Sequence, residues 1–241
     1  MAICGDLAVA ANHKYSVVHW IKASSIASGI LELLQRMNKK ELVVLAIQNQ
    51  GAAVTINTIK EEIPYTGIKL LDVQYFNPGE RDFRMILTRI REEHPDVLVP
   101  LAFSPEMEII LRQSRQIGLN VPMPSESYDI IADKSLGEGQ YNVSCSRGTP
   151  KFREYIQSAI NHDTDYAVPF LYDSLDFIRA AYEASSKIDH AVAAEYLSHL
   201  KDYPSAAGPV STDENRFIDS PATYYKIEHG QIVPVTLDEI K

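Results

Sequence analysis

The sequence is short of cysteine, of basic charge and of long apolar runs, and each shortage removes a class of protein. Two cysteines occur, Cys4 and Cys145, far apart and without C-x-x-C spacing. They read as two unpaired thiols, and cysteine number alone leaves the compartment open. Lysine and arginine total 23 against 32 acids, giving a net charge of −9 and a pI near 5.3. A nucleic-acid binder usually presents a basic face; here the basic residues are dispersed among acids and outline no groove. No apolar run reaches the roughly 18 residues of a membrane span. The amino-terminal residues show no basic segment followed by an apolar core, so as written they are not a secretory signal. Either the chain is cytosolic, or its natural beginning is missing. Enzyme signatures are absent too: there is no GxSxG elbow, no GxxxxGK phosphate loop and no HExxH. The seven histidines are scattered, with no i, i+4 pair. No metal and no cofactor is expected.

What is present is globular. Hydrophobic residues make up 45 % and charged residues 23 % of 241 positions, enough for one large or two small domains. The stretch from Lys39 to Met123 alternates strictly between strand and helix. Glu41–Ile47 is an apolar run of strand length. Residues 56–63 are helical and stop at Pro64. Residues 68–76 form a second strand, closed by Asn77-Pro78-Gly79. Residues 82–93 place Phe83, Ile86, Leu87 and Ile90 on one helical face, with Asp82 as the N-cap. Residues 97–101 are a third strand. Residues 105–117 are a third helix, opened by Pro105 and closed by Gly118. A fourth strand starts at 121–123. Such alternation predicts right-handed crossovers and an α/β fold with a doubly wound parallel sheet. Ligands of these sheets sit outside the carboxyl ends of the strands, which directs attention to 48–51, 102–106 and 124–128.

The flanks differ in texture. Residues 7–11 are ambiguous, 15–22 read as a strand, and 24–37 as a helix with Ile26, Ile30, Leu33, Leu34 and Met37 on one face. Residues 140–145 are a strand and 150–161 a helix. The longest helix spans 168–187, apolar at Leu171, Leu175, Ile178 and Tyr182. Another spans 190–200, with Val192, Tyr196 and Leu200 as its stripe. Short strands are expected at 208–211, 223–228 and 231–235, the last two joined through His229-Gly230, a hairpin signal.

Several pieces fall in one order: VVLAIQNQG, YFNPGERDF, HPDVLVPLAF, RQIGLNVPM, LGEGQY, TPKFREYI, YAVPFLYDSL, AAGPVSTDENR and YYKIEHGQIVPV. This ordered set resembles the type I periplasmic binding proteins of the Leu/Ile/Val type, the extracellular ligand-binding receptors of ABC importers, over roughly residues 15–237. The resemblance implies two doubly wound lobes with a ligand trapped between them and hinge closure around it. It maps 1–38 onto a remnant of lobe one and the first crossover, 39–162 onto lobe two, 163–207 onto helices returned to lobe one, and 208–241 onto strands near the hinge. Lobe two is complete and lobe one abbreviated. Family members carry a full first lobe before the point matching Tyr15, with serine and threonine loops that grip an amino acid; those loops have no counterpart here. The family's Tyr-Gly after the first lobe-two strand is replaced by Gln48-Asn49-Gln50-Gly51.

Candidate site residues follow from this mapping. Asn49 and Gln50 stand where the family presents a ligand-facing side chain, and amides suit a zwitterionic or polar ligand. Gly51 brings a helix start close to the strand end, offering backbone N–H groups to an anion; an ordinary turn is the alternative. Phe103 walls the cleft or packs in the core. Ser104 lines the site or caps the following helix. Ser125, Glu126 and Tyr128 follow the fourth strand, and Glu126 would pair with a ligand ammonium group or stand as a solvated charge. Asp173, after Tyr172, reads as structural, complementing a helix dipole. The expected function is solute binding for an ABC importer, with an amino acid or related polar solute as ligand, the permease as partner if the chain is exported, and no nucleic acid. Other readings stay open: a cytosolic sensor of the same fold, a non-binding remnant that forms a homodimer through its abbreviated lobe, and an enzyme on a flavodoxin-like sheet.

Overall fold

The computed structural model describes residues 1, 13–161, 163–185 and 189–240. Cys4, His162, residues 7–11 and the expected helix end near Lys187 lie outside them. The elements open with β1 (Val18–Trp20), α1 (Ala23–Arg36), β2 (Glu41–Ile47), α2 (Gln50–Glu62), β3 (Lys69–Phe76) and α3 (Arg84–Glu92). They continue with β4 (Val97–Leu101), α4 (Glu106–Gln116), β5 (Tyr141–Ser144), α5 (Pro150–Ile160), α6 (Val168–Glu183) and α7 (His190–Leu197). Five strands finish the chain: β6 (Tyr203–Ser205), β7 (Gly208–Val210), β8 (Phe217–Asp219), β9 (Thr223–Glu228) and β10 (Gln231–Val235).

The chain divides into two compact units. Residues 1–22 and 145–222 form the first, residues 23–144 and 223–241 the second. The boundaries expected from sequence fall elsewhere. The helix at 23–36, assigned there to lobe one, goes with the second unit, because its buried Ile26, Ile30, Leu33 and Leu34 form a stripe that packs along α2. The helix at 150–160, assigned there to lobe two, goes with the first unit.

In the second unit β3, β2 and β4 form a parallel sheet in that order. All of β4 and six of the seven residues of β2 are buried. That is the pattern of strands covered on both faces, and it is why their sequences read as continuous apolar runs. Residues 121–123, expected to start a fourth strand, form no regular strand; the segment 121–125 bridges two others. Leu98 N–H donates to Pro122 O, and Ser125 exchanges backbone bonds with Tyr141 and Val143 of β5. Beyond it, β5, β9 and β10 pair antiparallel, so the unit is parallel on one side and antiparallel on the other. The β9–β10 turn has φ of 53° at His229 and 69° at Gly230, the two positive values a tight hairpin turn requires. Both Glu138 carboxylate oxygens accept the backbone N–H groups of those two residues, which hold the carboxyl below its usual range.

Several helix bounds shift. α2 begins six residues earlier than expected, capped by Asn49, whose Oδ1 accepts Ala52 N–H at 2.8 Å. Its stripe of Ala52, Thr55, Ile56 and Ile59 is too small and polar to mark a helix by hydrophobicity. α3 starts at Arg84 with Phe83 in the cap position; Asp82 instead accepts Arg84 N–H. Phe83 is fully buried, edge-on to Phe76.

The first unit has two two-stranded sheets, β1–β8 parallel and β6–β7 antiparallel. Two of its helices have side-chain caps: Thr149 accepts Phe152 N–H before α5, and Asp189 accepts Ala191 and Val192 N–H before α7; α6 has Ala167 in the cap position, with Asp165 two residues earlier accepting Ala167 and Val168 N–H. The apolar face expected for α6 is not the buried one. Leu171, Leu175 and Ile178 are exposed, while Phe170, Asp173, Phe177 and Ala181 face inward. In α7 and just past it, Val192 of the expected stripe is exposed, while Leu200 is buried and Tyr196 packs against the core, beside buried Ala193, Ala194 and Leu197. A core of Val17, Phe177, Ala181, Leu197, Val210 and Ile218 results. At its edge Asp173 accepts the N–H groups of Ala206 (2.5 Å) and Ala207 (3.0 Å). The same carboxylate lies 3.3 Å from Nε2 of buried His19, whose Nδ1 donates to Ile218 O at 3.0 Å. The structural role expected for Asp173 takes this form: it ties a helix, a strand and a loop together.

Candidate functional site

In the second unit the strand register brings the carboxyl ends of three strands to one end of the sheet, with Ile47 opposite Phe76 and Ala46 opposite Leu101. Loops 48–51, 77–83 and 102–105 leave from that end. Ser125 adds residues 124–132 to the group, since its hydroxyl donates to Pro100 O at 2.8 Å. The three stretches singled out from sequence are therefore neighbours around one sheet end.

Their residues divide by what their side chains already do. Ser125 is fully buried; its Oγ also accepts Ser127 N–H at 3.3 Å. This side chain is spent inside the unit and is not offered to a ligand. Tyr128 is fully buried as well, its hydroxyl donating to Met123 O and its N–H to Asn142 Oδ1. Asn49 is exposed, but its amide oxygen is committed to capping α2. Gln50 and Gly51 are exposed in the first turn, where backbone N–H groups have no intrahelical acceptor. A Cβ at Gly51 would meet only Asn49 Oδ1, at 3.6 Å, so space alone does not demand glycine there. Phe103 is 42 % exposed, which removes the core-packing alternative. Ser104 does not cap α4, whose cap position is Pro105; its hydroxyl donates to Glu108 Oε1 at 2.8 Å.

Glu126 stands apart. It is half-buried, and burial pushes its carboxyl up to about 7. No hydrogen bond or ion pair holds it among the described residues. A carboxylate stripped of water and given no counter-charge is costly to ionise, and an incoming cation removes that cost.

Sequence reasoning passed over the residues that hold the loops in place. Glu106 Oε1 accepts Gly79 N–H at 2.7 Å, and Gln113 Oε1 accepts Phe83 N–H at 2.6 Å while its amide donates to Arg81 O. Glu108 Oε1 accepts Ala132 N–H in addition to Ser104, and its Oε2 is buried without a partner. Glu106 and Gln113 are spaced i, i+7 on the α4 face that carries Ile110. Polar residues at core spacing were the available signal. Among the described residues no group of three or more His, Cys, Asp or Glu side chains is placed to hold a metal ion, and no helix is long and apolar enough to cross a membrane.

Comparison with known proteins agrees with this geometry. No family model matches the chain. It is 25 % identical over 209 residues to the Leu/Ile/Val-binding protein BraC3 of Rhizobium johnstonii, covering 81 % of this chain and 57 % of that protein. It is 23 % identical to a leucine-, isoleucine-, valine-, threonine- and alanine-binding protein of Pseudomonas aeruginosa, over 76 % of this chain and 51 % of the relative. The chain thus spans little more than half the length of these relatives. A solved leucine-binding protein from Thermotoga maritima superposes with a TM-score of 0.83 at 18 % identity, over 96 % of this chain and 70 % of that one. The fold is that of the type I periplasmic binding proteins, as the ordered sequence pieces implied. The named relatives are binding proteins rather than enzymes.

Proposed function

We propose that a chain with this fold acts as a solute-binding protein, or part of one, serving an ABC importer, and that it holds an amino acid or related small polar molecule without making or breaking a bond. The loops at the carboxyl end of the parallel sheet in the second unit supply one wall of the site. Glu126 carries this reading: a poorly hydrated carboxyl without a partner, at the sheet end where α/β folds receive ligands, suits the ammonium group of an amino acid. Phe103 offers an apolar surface nearby in the fold, and the first-turn N–H groups of α2 suit a carboxylate. The relatives' names support a branched-chain or similar amino acid; a permease partner and a periplasmic setting are part of the same proposal.

Titration calorimetry with leucine, isoleucine, valine and a set of small amides tests this. Saturable binding is expected for at least one of them, weakened roughly tenfold or more by Glu126→Gln, since hydrogen bonds to charged groups contribute about 1.5–3 kcal/mol. Affinity should rise with pH through about 7, as Glu126 ionises. Absence of binding across the set, or a Glu126→Gln variant that binds unchanged, would sink the reading.

A second reading is self-association through the first unit. The exposed Leu171, Leu175 and Ile178 of α6 are the observation that favours it, and the mass of the purified chain in solution decides it.

A further inference from the structure

At the other end of the same sheet lies a cavity that the proposed amino-acid site does not use. It opens beside the amino ends of β2, β4 and β5 and is lined by parts of α4 and the segment that follows it. The seven residues of β2 set Lys39, in the cavity lining, about 20 Å from loop 48–51 at the usual rise per strand residue, while Met123, also in the lining, stands three residues before Glu126. The cavity volume is about 630 Å³, within the range that holds small molecules.

We propose that this cavity is a second binding site, for a small carboxylate with an apolar body. Three features of its lining support that ligand class. Leu111, Leu119 and Leu136 give an apolar surface. Two cations, Lys39 and Arg115, also line it; Lys39 makes no ion pair among the described residues, and Arg115 spends one guanidinium nitrogen, Nη2, on Leu136 O. Ser114 lines the cavity, is 1 % exposed, and has a buried hydroxyl without any hydrogen-bond partner. Buried hydroxyls are nearly always paired, because an unpaired one keeps its desolvation cost; a ligand oxygen would accept from it. The acid in the lining, Glu138, is held ionised and opposes an anion, against the two cations Lys39 and Arg115. Both of its oxygens already receive N–H groups from His229 and Gly230.

Sodium hexanoate, titrated into ¹⁵N-labelled protein with amide shifts followed residue by residue, tests the proposal. Hexanol provides the neutral control and excess leucine the competitor. Saturable shifts are expected at 119–123 and 139–141, unchanged by leucine. Binding should weaken at least fivefold in Arg115→Gln, an exposed position, with amide shifts away from the cavity unchanged to show that the fold is kept, and again in Lys39→Gln. Hexanol should bind at least tenfold more weakly than hexanoate. The proposal is overturned by an absence of saturable shifts, by equal binding of hexanol, or by unchanged binding in both variants. Shifts at 49–51 and 126–128 in their place would assign hexanoate to the Glu126 site and also overturn it. Failure of leucine to bind anywhere would bear on the amino-acid reading alone.

Discussion

In the second unit backbone pairing and burial build the interior together. β2 and β4 are covered on both faces, and each fully buried Val, Leu or Ile side chain contributes about 1.5–3 kcal/mol. In the first unit no sheet exceeds two strands among the described residues. Its order rests more on side chains: two helix caps, the ring contacts of His19 with Phe170 and Phe177 at 4.7 and 5.0 Å, and the Asp173 carboxylate that gathers two N–H groups and His19. It also leaves the outer stripe of α6 in water. The interior of the second unit thus rests on strand pairing and apolar burial, and that of the first more on a few polar side chains.

Asp173→Ala should break the comparison most sharply. It strands His19 and two buried N–H groups, and leaving a buried donor without its partner costs about 1–3 kcal/mol for each group. Trp20, the single tryptophan, packs on Phe170 at 4.8 Å and reports on the first unit. Its fluorescence transition should move to lower denaturant, ahead of the part of the far-ultraviolet circular dichroism that comes from α1–α4 of the second unit; coincident transitions would show that the units do not differ in this way. Gly137→Ala probes the second unit. An added Cβ would press into the Tyr128 ring and approach Ile227 at 3.3 Å, and overpacking of this kind costs about 1–3 kcal/mol. The expected outcome is the reverse order, with circular dichroism lost before Trp20 fluorescence. Leu175→Glu should have the smallest effect. Leu175 is 72 % exposed, so monomer stability should change by no more than about 0.5 kcal/mol. If the α6 stripe mediates self-association, the same change should reduce the particle mass seen by light scattering to that of the monomer.

The sequence showed more of the second unit than of the first, for physical reasons. Strands buried on both faces announce themselves, and β2, β4, β9 and β10 are bounded as the residues implied. Helices with a weak or divided apolar face did not. α2 was shortened because Ala52 and Thr55 carry little hydrophobic signal. α6 was assigned the wrong face because Leu171, Leu175 and Ile178 outscore a buried stripe that contains Asp173. The fold as a whole was legible only through the order of small motifs, none diagnostic alone. At the site, position was readable and role was not. Loops 48–51, 102–105 and 124–128 do gather at one sheet end, but whether a serine or asparagine faces a ligand or its own backbone depends on hydrogen bonds that sequence does not encode locally. Ser125 and Asn49 proved to be spent, whereas Glu126 was left unpaired.

The grip of Glu106 and Gln113 on loop 77–83 has a consequence for variation. Both hold main-chain atoms, the N–H groups of Gly79 and Phe83 and the carbonyl of Arg81, and neither inspects the side chains of the loop. Arg81 can therefore change identity while the loop keeps its path, whereas Glu80, whose Oε1 accepts the N–H groups of Arg81 and Asp82, fixes part of that path itself. Descendants of this chain could acquire new surface chemistry beside the sheet end in single steps, each filtered by what it recognises rather than by whether the protein still folds.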